Sequence, residues 1–240
     1  MRSKIWVGII SLFYFNTICA QQNLFNVPSS DITTKNRIFF QEQLNIGKVI
    51  QSNTNICYGL GNGFEVGANI IGLQSDKQYR KISVNDSVGN NPVAPIVVFT
   101  AQKVFEVAKF FKIGIGTQIG TNMIKKTGLP RTLTDFTYLN TQTAFFHERI
   151  KVNAGAFFGD KAYIGEKSQF GYMLGYEATV GKRIHLVGDY FAGKNPIGVV
   201  VVGFLYYATA QMPLSFGWQI PNDPSKASQA FVFEFTYIMK

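Results

Sequence analysis

QAFVFEFTYI, residues 229–238, is the stretch on which the reading of the fold turns. Phe231, Phe233, Phe235 and Tyr237 occupy every second position, with Val232, Glu234, Thr236 and Ile238 between them. Side chains alternate across a strand, so the four rings share one face and Glu234 and Thr236 lie on the other. A soluble β-sandwich would bury the ring face. A barrel in lipid would turn it outward and keep the polar face within. The stretch alone fits both, and the rest of the chain chooses.

Bulk composition leans toward lipid. Charged residues make up 15% of the 240, against about a quarter in soluble domains. Aromatics also reach 15%, with 22 Phe and 11 Tyr. At the amino end Arg2 and Lys4 precede the apolar run IWVGIISLFYF (5–15) and then NTICA. That order predicts a secretory signal peptide over residues 1–20, cut after Ala20. Cys19 admits a lipoprotein reading, but Asn16, Thr17 and Ile18 are not the small residues such a site takes. Removing Arg2 and Lys4 lowers the formal charge from +9 to +7 and leaves Cys57 as the single thiol, so no internal disulfide is expected. With one Cys and two His, at 147 and 185, no metal cluster is expected, and no cofactor. The basic residues are scattered, which argues against a nucleic-acid partner.

The best candidate for a spanning helix, IGVVVVGFLYYATA (197–210), has 14 residues and soon meets Pro213. A helix needs about 20 to cross a bilayer, and the run of valines favours a strand. Twelve strands are predicted: 37–46, 49–59, 63–73, 95–104, 110–121, 134–145, 149–159, 169–180, 183–192, 197–208, 213–220 and 229–239, with 10 or 14 as the alternative counts. Connector length follows parity. Even-to-odd connections near 60–62, 105–109, 146–148, 181–182 and 209–212 are short. Odd-to-even ones include the long polar segments 74–94, 122–133, 160–168 and 221–228. Short periplasmic turns and longer outer loops produce this segregation in a membrane barrel, and nothing in a sandwich does.

The signal peptide, the dyad strands, the parity of the connectors and the terminal aromatic strand together resemble a bacterial outer-membrane β-barrel protein, porin-like, over about residues 37–240. The resemblance implies an all-β fold: one closed antiparallel transmembrane barrel in the Gram-negative outer membrane. It implies outer-membrane lipid as surroundings and recognition of the last strand by the barrel-assembly machinery. That family usually ends on an aromatic residue, whereas this chain ends Tyr237-Ile238-Met239-Lys240. Residues 21–36 are polar and without period, and read as a periplasmic tether or a plug.

In such a barrel Phe231, Phe233, Phe235 and Tyr237 face lipid. The lumen-facing candidates are Arg37, Glu65, Lys112, Gln118, Lys151, Glu177, Arg183, His185, Asp189 and Glu234. A wall carrying both signs of charge suits a passive channel for small polar or weakly anionic solutes; the same charges could instead pair and rigidify a closed scaffold. The basic residues Lys77, Arg80 and Lys81, with Tyr79, could make loop 74–94 an adhesive surface. Catalysis is not expected. His185 and Asp189 share a face but stand about 13 Å apart along a strand, His147 falls in a short turn, and nothing ties Ser215 to a histidine. A hydrolase or a secreted β-sandwich are the remaining alternatives.

Overall fold

The computed structural model describes residues 23–239 apart from 77–80, 127, 129 and 167. The expected signal peptide and Lys77, Tyr79 and Arg80 lie outside the described residues. Twelve long strands form the wall: β1 (Ile38–Ile46), β2 (Ile50–Gly61), β3 (Phe64–Ser75), β5 (Ile96–Ala108), β6 (Phe111–Asn122), β7 (Leu133–Phe145), β8 (Ile150–Gly159), β9 (Phe170–Thr179), β10 (Ile184–Phe191), β11 (Val199–Thr209), β12 (Met212–Pro221) and β13 (Ala230–Met239). Two short elements sit in the outer loops, a two-residue strand β4 (Ile82–Ser83) and a helical turn α1 (Lys161–Ile164).

Each long strand pairs antiparallel with its neighbours, and β1 pairs with both β2 and β13, so the sheet closes. Closure matters because lipid offers no partner to an unpaired N–H or C=O. All twelve expected strands are present, and the largest discrepancy is at the end of β5, which runs to Ala108 instead of 104. The rings of the last strand point outward: Phe231 and Tyr237 are exposed, while Phe233 and Phe235 pack on Phe216 and Phe40 of the adjoining strands, on the outer wall. Exposed Phe99, Leu133, Leu139, Phe170 and Trp218 continue this apolar belt. At mid-height Glu42 interrupts it, its carboxylate accepting hydrogen bonds from Ser52 (2.5 Å) and Thr54 (2.6 Å) on β2.

The lumen is occupied by the chain's own amino-terminal segment. Residues 23–36 enter at the short-turn, periplasmic end, where Asn36 N–H donates to Gly59 O (2.8 Å), and run up inside the barrel. They then reverse in a tight turn, with Leu24 N–H donating to Val27 O (3.1 Å) and Asn23 bridging Pro28. Leu24 and Phe25 pack with Val187, Val199, Val201, Leu205 and Val232 of the wall. Val27 joins Phe136, Tyr138, Phe157, Met173 and Phe191. Fully burying an apolar side chain of this size contributes about 2 kcal/mol. The wall recedes to admit the segment: a Cβ at Gly175 would overlap Leu24 Cδ1, and one at Gly59 would overlap the carbonyls of Thr33 and Thr34.

Candidate functional site

The plug segment is held by the charges expected to line the lumen. Asp189 on β10 points into its turn, where one carboxylate oxygen, Oδ2, accepts from the backbone N–H groups of Phe25 (3.0 Å), Asn26 (2.5 Å) and Val27 (2.8 Å). Three successive amides on one carboxylate form an anion-binding nest, here with the wall supplying the anion. Lower down, Asp31 of the segment forms salt bridges to Lys112 on β6 (2.8 Å) and Lys151 on β8 (2.9 Å), and Gln142 adds a third donor. Burial pushes the Asp31 carboxyl up, but Lys151 and Lys112 outweigh it and bring the pKa down to about 2. Glu65 on β3 accepts from Thr33 N–H (2.7 Å). Asn140 donates to Pro28 O, and Gln102 to Ser29 O. The wall thus takes up the backbone N–H of Phe25, Asn26, Val27 and Thr33 and the carbonyls of Pro28 and Ser29, as buried backbone groups require.

The remaining candidates divide. Glu177 and His185 meet across β9 and β10, Nδ1 to Oε1 at 2.5 Å, with His185 against the Tyr207 ring and its Nε2 without a partner. His185 and Asp189 are not brought together, since Asp189 serves the plug. Glu234 is fully buried on the inner face, opposite Gln43 in register. Arg37 is half-exposed at the periplasmic mouth just before β1. Arg183 differs from expectation: it lies in the turn ahead of β10 and is exposed, because the strand begins one residue later, at Ile184. Lys81 is exposed beside β4.

Above the plug the lumen opens into a vestibule of about 610 Å³. Its floor is the plug turn, with Asn23, Phe25, Asn26 and Pro28. One side is a ladder of amides on β1–β3, among them Asn45, Gln51, Asn53, Asn55, Asn69 and Gln74. The other carries Phe136, Tyr163 and Phe191. Among the described residues no carboxylate lines the cavity, and its lysines are Lys48 and Lys226, in the connections β1–β2 and β12–β13. Tyr163 arrives from α1, which Asp160 caps by accepting from Tyr163 N–H (2.8 Å). Its hydroxyl donates to Gln118 Oε1 (2.8 Å) and burial holds it above the usual tyrosine range, so it stays neutral. Loop 84–95 folds against this helix, Val93 N–H donating to Ala162 O (2.7 Å), and so helps form the rim. Sequence reasoning placed Gln118 on the inner face but had no means to see Tyr163, Phe136 or Phe191 as one wall.

A closed barrel with an even number of wall strands, oily outside, polar inside and open toward its longer loops defines the outer-membrane β-barrel class. No protein-family model matches the chain, and no curated protein matches it in sequence. Solved structures match it in fold. The KdgM porin superposes with a TM-score of 0.53 at 11% identity, over 85% of this chain and 98% of its own. The KdgM porin in complex with disordered oligogalacturonate gives 0.51 at 12% identity with the same coverage. The toluene transporter TbuX of Ralstonia pickettii gives 0.45 at 8% identity, over 86% of this chain and 90% of its own.

Proposed function

We propose that the protein is a passive outer-membrane channel for small polar or weakly anionic solutes, held shut at rest by residues 23–36. The vestibule carries this reading: a 610 Å³ chamber open toward the outer loops, lined by amides and two lysines, and floored by a segment bound through reversible polar contacts. Solutes enter from outside, and passage requires the plug turn to leave Asp189. The shared fold with a porin supports a channel over an enzyme. In this reading residues 1–20 direct export and are removed, and β13 is the strand offered to the assembly machinery.

Planar-bilayer recording tests the proposal. The intact chain is expected to be closed most of the time, and a variant lacking residues 23–33 is expected to conduct steadily. If the deleted form is folded, heat-modifiable and electrically silent, the barrel is a scaffold and the channel reading is wrong.

A further inference from the structure

We infer that the vestibule is a binding site for a neutral, polyhydroxylated ring, a sugar without a charged group. The inference rests on the channel reading and names its solute. Two opposed walls carry it. Gln51 and Gln74 face each other in register on β2 and β3, and within the described residues neither side chain is engaged in a hydrogen bond. Asn69 on the same wall is buried with its Oδ1 unpartnered, and Asn26 on the floor has an unpartnered Nδ2. Buried amides are nearly always satisfied, and a turn about the broad χ2 of asparagine presents these atoms to the cavity. An amide offers donor and acceptor together, which is what a hydroxyl needs.

Across the barrel the wall changes character. The Phe136 and Tyr163 rings stack at 4.8 Å and Phe191 lies 6.2 Å from Phe136; Phe136 and Phe191 are buried beneath the lining, and Tyr163 is the partly exposed ring of the three. A sugar ring has an edge of hydroxyls and a face of C–H groups. Amides opposite the Tyr163 ring match that division, as the few polar groups and apolar lining of ligand pockets generally do. The volume falls within the roughly 300–1,000 Å³ of small-molecule sites. Among the described residues a carboxylated solute would find cations at Lys48 and Lys226, in the connections at the rim.

Saturation-transfer NMR on the full-length protein in detergent tests this with sucrose and glucuronate as probes. Sucrose is expected to show saturable transfer, reduced at least fivefold in Gln51→Leu/Gln74→Leu and in Tyr163→Ala, with glucuronate weaker. Heat-modifiable migration checks that each variant is folded, and Gln51→Leu alone serves if the double variant is not. Absence of sucrose transfer, transfer unchanged in the folded variants, or a preference for glucuronate lost in Lys48→Ala/Lys226→Ala overturns the inference. Sucrose binding without flux in the plug-deleted form would sink the channel reading and leave the site standing. Flux without saturable binding would do the reverse.

Discussion

The lower and upper halves of the lumen share one wall but treat polar groups in opposite ways. Toward the periplasmic end Glu65, Lys112 and Lys151 are spent on the plug, Asp189 holds its upper turn, and the space is packed. Toward the outer end the lining is amide and aromatic, the side chains of Gln51 and Gln74 make no hydrogen bond among the described residues, and the space is open. Charges that would be costly to leave alone in a narrow lumen are neutralised by a stretch of the same chain. Neutral amides tolerate water, and they face the longer loops, the side from which the proposed solute enters. On the channel reading, holding shut and taking up are thereby separated along the axis.

Deleting residues 23–33 breaks the contrast most completely. The lower half would lose its filling, and Lys112 and Lys151 their counter-ion. Recordings should change from closed to steadily open, with a lower melting temperature. Asp189→Ala removes the acceptor of three amides while leaving the rest of the plug. Hydrogen bonds to a charged group contribute about 3 kcal/mol at the upper end, so open probability should rise about a hundredfold.

Proton concentration probes the lower half more gently. The Asp31 carboxyl has a folded pKa of about 2 against an ordinary 3.8. Its stabilising contribution, on the order of 2 kcal/mol, is therefore complete above pH 4 and lost as pH falls through 2. Openings should increase on acidification over that window. Asp31→Asn should flatten the response and leave the channel leaky throughout. The smallest effect is expected from Gly175→Val, whose added methyls meet Leu24. Overpacking of about 1 kcal/mol should raise open probability roughly fivefold, with solute binding in the upper half unchanged.

The wall was legible because period-2 alternation and loop parity are local signals. Each strand states its own faces, and Glu234 against Phe233 and Phe235 needs no distant partner to be placed. Residues 21–36 were legible only as a tether or a plug, and the contacts that hold them in the lumen were not, since those partners lie between 32 and 164 positions away, as in Thr33 with Glu65 and Phe25 with Asp189. One trace of them was present: the strand 197–208 reads apolar on both faces. In the structure the inner face of β11 packs Val199, Val201 and Leu205 against Leu24 and Phe25, so a doubly apolar strand in a polar lumen marks where something apolar rests. The His185–Glu177 contact could have been found from the short turn at 180–183, which fixes His185 opposite Thr179 and so diagonal to Glu177. Arg183 was misplaced for the ordinary reason that strand ends are the least determined part of a pattern.

The plug is continuous with β1 through the turn at 34–37, where Arg37 N–H donates to Thr34 O and Asn36 to Gly59 O. A stopper tied to its bottle by a few residues cannot diffuse away. Once dislodged it stays at an effective concentration in the millimolar range, so reclosure is a first-order event indifferent to protein concentration. A free peptide copying residues 23–33 has no such advantage, and should reseal the deleted barrel only when supplied at millimolar levels from the periplasmic face.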